Sequence, residues 1–126
     1  MNERGRPLLP RATFGRSKRM LSAADYSRVF DSASARASHR HVLLLASPNK
    51  GDESRLGLVI AKKHVRKATM RNQVKRIARE VFRCQAADSL PIDVIVLARS
   101  GIDRLDKKDL ARLFAQQFEK LRVAIQ

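Results

Sequence analysis

Residues 62–83 carry nine Lys or Arg and a single acid, Glu80, yet Met70, Val74, Ile77, Ala78, Val81 and Phe82 recur through them at helical spacing. On a helical wheel with Val74 at zero, these apolar residues fall between about −60° and +80°. Lys75, Arg79, Asn72, Arg83 and Arg76 fall between about 100° and 200°. The segment therefore predicts a helix from an N-cap at Thr69 to about Gln85, one face buried and the other cationic. Short apolar runs of strand type bracket it: residues 55–61 before it and, introduced by Pro91, residues 92–98 after it. Strand, helix and strand make a βαβ unit, for which a right-handed crossover is the general default.

The rest of the chain supplies layers for that unit. Ser22 and Asp25 have the spacing of a capping box, and Tyr26, Val29, Phe30 and Ala33 then follow at helical spacing, predicting a short first helix. Residues 41–46 form a compact apolar run, and the turn-rich residues 47–52 lead from it into the run at 55–61, which reads as a hairpin. A last helix starts near Asp106 and lines one face with Leu110, Leu113, Phe114, Phe118, Leu121 and Ile125. The order α-β-β-α-β-α predicts a two-layer α/β sandwich, a small mixed sheet with helices packed on it. At 126 residues and 44% apolar composition this is one domain, residues 21–126, behind a basic Pro- and Gly-containing arm, residues 1–20. The lone Cys84 makes no internal disulfide and no cysteine zinc site, which fits a reducing, cytoplasmic setting. No apolar run reaches the roughly 20 residues needed to cross a bilayer, and the N-terminus lacks the pattern of a signal peptide.

With 27 Lys+Arg against 12 Asp+Glu, the net charge of +15 repels itself and points to a polyanionic partner. A membrane surface would call for a basic amphipathic helix with exposed apolar anchors or a lipidation site, and neither is present. Nucleic acid is the better fit. Glu and Lys do not alternate along the cationic face; like charges sit four apart at Lys75/Arg79 and Arg79/Arg83, and Lys67 and Arg71 crowd the positive end of the helix dipole. A bound phosphate reverses both penalties, and arginine forks suit it. The candidate RNA-binding residues are Lys62, Lys63, Arg66, Lys67, Arg71, Asn72, Lys75, Arg76, Arg79 and Arg83. For Tyr26 and Phe30, core packing competes with base stacking: Phe30 reads equally well either way, Tyr26 favours a wet edge through its hydroxyl, and Phe14 of the arm could join them. The chain offers no protein nuclease. His39, His41 and His64 are dispersed along it, the acids are scattered, and no catalytic or metal-ligating residue is assigned.

Arg71-Asn72, Lys75-Arg76 and Arg79-Glu80 fill every fixed position of the signature R-N-x-x-K-R-x-x-R-E. In this the chain resembles the protein component of bacterial ribonuclease P, and the resemblance extends to residues 57–63 and to Tyr26, Val29 and Phe30. It implies a left-handed βαβ crossover and an accessory role in a ribonucleoprotein endonuclease that removes 5′ leaders from precursor tRNA. The catalytic centre and its magnesium would then lie in the RNA subunit, with no membrane involved and no further protein partner required. It also implies that Arg71, Asn72, Lys75, Arg76 and Arg79 face RNA. Tyr26 and Phe30 would line a leader cleft between the first helix and the sheet, with Lys62 and Lys63 beside it. In one respect the chain departs from the family: Leu44 or Leu45 stands where some relatives carry an aromatic. A structural ribosomal protein is the alternative; a DNA regulator reading through a helix pair is excluded, because strands flank the basic helix on both sides.

Overall fold

The computed structural model describes residues 21–49, 51, 53–86 and 91–125; the basic arm, with Phe14, lies outside these. The elements are α1 (Ala23–Ser32), β1 (Ala35–His39), β2 (Val42–Pro48), β3 (Arg55–Val59), α2 (Ala68–Ala86), β4 (Ile92–Ala98), a 3-10 turn (Ile102–Arg104) and α3 (Lys107–Ile125). One four-stranded sheet has the order β1-β2-β4-β3, antiparallel at β1/β2 and β2/β4 and parallel at β3/β4. The mixed α/β architecture, one small mixed sheet with helices packed on it, agrees with the sequence, and the βαβ unit is present as β3-α2-β4.

The expected hairpin is not. β2 and β3 do not pair, because β4 lies between them. β4 is buried from Ile92 through Val96, and a run this apolar on both faces is stable only with neighbours on both edges and cover above and below. The connection from β2 to β3 is instead organised by Asn49. Its Oδ1 accepts from the Gly51 amide at 2.7 Å, while its Nδ2 donates to the Glu53 carbonyl at 3.1 Å and to Asp93 at 2.9 Å.

The actual hairpin is β1-β2, turning at residues 40–41, and β1 is a strand that the sequence reading omits. Its residues Ala-Arg-Ala-Ser-His include no β-branched or large apolar side chain, so propensity is silent. It alternates nonetheless: Ala35 and Ala37 are buried under α3 while Arg36 and Ser38 are exposed. Small side chains on that face let the last helix approach an edge strand.

Register sorts the sheet into two faces. Val42, Leu44, Ala46, Leu56, Val94, Val96 and Ala98 belong to a single core with α2 and α3. Phe82 of α2 meets Phe118 of α3 edge-on at 5.5 Å, and Phe114 stacks on Phe118 at 6.0 Å, which fixes the two helices together and turns the charged side of α2 outward. The opposite face carries Leu43, Leu45, Gly57, Asp93, Ile95 and Leu97, and α1 crosses it with Val29 fully buried. Among the described residues no helix is long and apolar enough to cross a membrane.

The helix starts follow their sequence signals in two cases of three. Ser22 and Asp25 form the capping box of α1, and Asp106 accepts the Asp109 amide at 2.8 Å ahead of α3. Thr69 is not the cap of α2. That helix begins at Ala68, and the carbonyl of Lys67 already accepts the Arg71 amide at 3.0 Å. The turn before it is held by Arg71, whose guanidinium donates to the carbonyls of Val65 at 3.0 Å and Arg66 at 2.8 Å, so no side-chain cap defines the boundary.

α1 is tied to the sheet by polar groups as well as by Val29. The Tyr26 hydroxyl accepts the Leu58 amide at 3.0 Å, covering the open edge of β3, and its ring lies so close to Gly57 that a Cβ there would sit 2.7 Å from ring atoms. Asp25 receives Nη1 and Nη2 of Arg55 at 3.0 and 3.2 Å. The Ser22 amide and hydroxyl, with Arg55 beside them, hold the Asp25 carboxyl down from its ordinary 3.8 to about 2. A carboxyl lowered on folding adds stability that is complete above about pH 4 and is lost as pH falls toward 2. Asp25→Asn should therefore be destabilising at neutral pH. In parallel denaturant titrations its deficit against the parent should shrink as pH is lowered across that window; a constant deficit would show that the capping carboxylate is not charged in the fold.

Candidate nucleic-acid interface

The outward side of α2 and the loop before it hold the candidate cations. Lys62 and Lys63 lie in the turn after β3, where the amides of His64 and Val65 both donate to the Ala61 carbonyl at 3.1 Å, and Val65 is fully buried as the anchor of the loop. The side chains of Lys62, Lys63, Arg66, Lys67, Lys75, Arg76 and Arg79 make no hydrogen bond or ion pair with any described residue. The first turn of α2 contains no acid. Two expected contact residues are engaged internally: Arg71 clamps the preceding loop, and Arg83 donates to Glu80 at 2.8 Å, which raises the Arg83 pKa. What remains is a band of unneutralised charge on one side of the molecule, with Asn72 exposed among it.

On the other face of the sheet, α1 and the upper half of β1, β2 and β4 enclose a groove of about 540 Å3, within the ~300–1,000 Å3 range of ligand clefts. Leu43, Leu45 and Leu97 form its floor, Phe30, Asp31 and Ala33 one wall, and Arg36 the opposite rim. The structure reverses the order of the two aromatic candidates. Tyr26 has both ring and hydroxyl committed to β3, whereas Phe30 is 48% exposed and presents its ring to the groove. The register also settles the departure on the first predicted strand: Leu45 lines the groove, and Leu44 is buried in the opposite core. Arg36 escaped the sequence reading because its strand did; the signal available was the alternation of small and polar residues at 35–39.

The histidines are not dispersed in space. β2 begins, and β3 and β4 end, at the same end of the sheet, so His39, His41 and His64 converge around residues 99–101. His41 Nδ1 donates to the Ser100 carbonyl at 3.0 Å, and its ring packs on Gly101, whose φ of 89° and lack of Cβ make room for it. His64 Nδ1 lies 3.0 Å from Ser100 Oγ, and His39 Nδ1 accepts the His41 amide at 3.1 Å. Burial, with His41, Arg40 and Lys120 nearby, lowers the His39 pKa. The arrangement pins the loop before α2 to the exit of β4. Among the described residues no group of three or more His, Cys, Asp or Glu could hold a metal ion.

Against known proteins, the family model for ribonuclease P matches residues 14–122. The ribonuclease P protein component of Saccharophagus degradans is 47% identical over 102 residues, 81% of this chain and 76% of that one. That of Pseudomonas aeruginosa is 43% identical over 108 residues, 86% and 80% of the two chains. Among solved structures, the RNase P protein of Staphylococcus aureus superposes with a TM-score of 0.73 at 25% identity, covering 82% of this chain and 96% of that one. The Thermotoga maritima RNase P protein gives 0.63 at 28%, covering 79% and 96%. Sequence signature, sheet order and these likenesses agree, and the chain belongs to the family of ribonuclease P protein components.

Proposed function

We propose that the chain is the protein subunit of a ribonucleoprotein that removes the 5′ leader of precursor tRNA in the cytoplasm, and that it divides its two surfaces between two RNAs. The loop at 62–67 and the outer side of α2 bind the catalytic RNA subunit. The groove beneath α1 takes the single-stranded leader. The observation that carries this reading is the contrast between the surfaces. One is a band of cations that have no internal partner among the described residues, suited to the phosphates of a folded RNA; the other is a leucine-floored trough walled by one exposed aromatic and Asp31 and rimmed by Arg36, suited to a splayed base with the arginine placed to meet its phosphate.

The catalytic centre and its magnesium are assigned to the RNA. Among the described residues no group of three or more His, Cys, Asp or Glu is placed to hold the ion. Asp25 and Asp93 are saturated by arginines, and the histidines are turned onto backbone and hydroxyl partners at the end of the sheet. The protein contributes binding energy remote from the scissile bond, holding the leader and neutralising neighbouring phosphates.

Two substitutions separate the surfaces. Phe30→Ala should weaken binding of leader-bearing precursor by about 1–3 kcal/mol, the range for loss of a stacked base, and leave leaderless tRNA unaffected; equal losses on both would place the leader elsewhere. On α2, Arg76→Ala should reduce affinity for the RNA subunit with thermal stability unchanged. Arg71→Ala should lower the melting temperature as well, because two carbonyls lose their donor. If both variants melt with the parent, the clamp assigned to Arg71 is wrong.

A further inference from the structure

We infer that Asp93 is a positioning residue for the groove, fixing α1 against the sheet through Arg55 and Arg28 so that the leader site stays open; the inference rests on the reading of the groove as the leader site. Asp93 is fully buried in β4, on the face that α1 crosses. Its Oδ1 accepts from Asn49 Nδ2 and Arg55 Nε, both at 2.9 Å, and its Oδ2 accepts from Arg55 Nη2 at 2.8 Å and from Arg28 Nη2. Arg55 extends the chain of charges to Asp25 in the first turn of α1, and Arg28 comes from the middle of that helix. One buried carboxylate thus reaches two separate turns of α1 through two guanidinium groups.

These contacts lie on the flank of α1 away from the groove. Taking Val29, which points into the sheet, as zero, Asp25 and Arg28 lie about 40° and 100° to one side. Tyr26 and Phe30 lie about 60° and 100° to the other. The helix is therefore held from behind, with Val29 as the pivot and Phe30 as the wall that moves if the hold is released. With the Asp93 charge removed, Arg28 and Arg55 face each other with Asp25 as their remaining carboxylate, and α1 is pushed from the sheet at its first turns. The Tyr26-to-Leu58 hydrogen bond reports that movement directly.

The test uses the full chain, alone and reconstituted with the RNA subunit. In Asp93→Asn, hydrogen exchange at the Leu58 amide should accelerate at least tenfold, while amides of the β2/β4 ladder keep their protection. The affinity gain of leader-bearing over leaderless tRNA should fall at least fivefold, with affinity for the RNA subunit within twofold of the parent. Arg28→Ala, which removes a side chain already 40% exposed and leaves Asp93 paired with Arg55, should shift both readouts the same way. Arg28→Lys should restore most of the effect; together the Arg28 pair decides the matter if Asp93→Asn does not fold. Unchanged Leu58 exchange, or a loss shared equally by leaderless tRNA and the RNA subunit, would overturn the proposal. Phe30→Ala separates the two failures: if it lowers leader discrimination and the anchor variants do not, the anchor alone is wrong, and if it does not, the groove is not the leader site and both readings fall.

Discussion

A carboxylate placed inside a sheet must be matched where it stands, and in this protein that requirement organises one whole face of the fold. Replacing a buried ion pair with well-packed apolar groups is often neutral, whereas removing one partner costs about 3–5 kcal/mol, so Asp93 selects an arrangement more than it adds stability. The arrangement it selects brings Arg55 from β3, Arg28 from α1 and Asn49 from the β2–β3 connection to one point. α1 buries just one apolar side chain fully, Val29, and an apolar contact so small does not set the direction of a helix. Charge does. The groove is the space left on the far flank once the helix has been fixed.

Arginine consequently serves two purposes that composition cannot separate. Arg28, Arg55, Arg71 and Arg83 are committed to carboxylates or carbonyls within the fold, while Arg66, Arg76 and Arg79 have no such partner among the described residues. The first group shapes the surfaces, and the second, with its lysines, supplies the unneutralised field that attracts RNA. The net charge of +15 is in this sense concentrated: Asp25 and Asp93 are spent on holding elements together, and the side of α2 turned away from the core keeps only Glu80.

The sequence made α2 legible because one stripe of apolar residues and one of cations occupy the same segment, and the family signature lies on that helix. The capping signals at Ser22 and Asp106 were readable because they are local. Strand pairing was not. Residues 41–46 and 55–61 are adjacent runs joined by turn residues, and nothing local says that a strand from position 92 onward will come between them; the long apolar run of β4, needing partners on both edges, was the available sign. β1 was hidden by alanines that matter for what they leave room for. Asp93 was the plainest missed signal, an acid within the most buried strand, whose partners lie 38 and 65 positions away. The exchange of roles between Tyr26 and Phe30 could not be read from spacing, because both fall on the same flank of α1 and only the glycine at 57 draws the tyrosine ring down.

The account holds that this chain binds and positions RNA while the chemistry belongs to its RNA partner. The most direct measurement is single-turnover cleavage of precursor tRNA by the parent protein and by a His39→Gln, His41→Gln, His64→Gln variant, each alone and with the RNA subunit at saturating magnesium. The account predicts no cleavage by either protein alone and rates within a few-fold of each other once the RNA is added. A folded, RNA-binding variant whose rate drops by about 100-fold or more, the typical effect of losing a general acid or base, would contradict it.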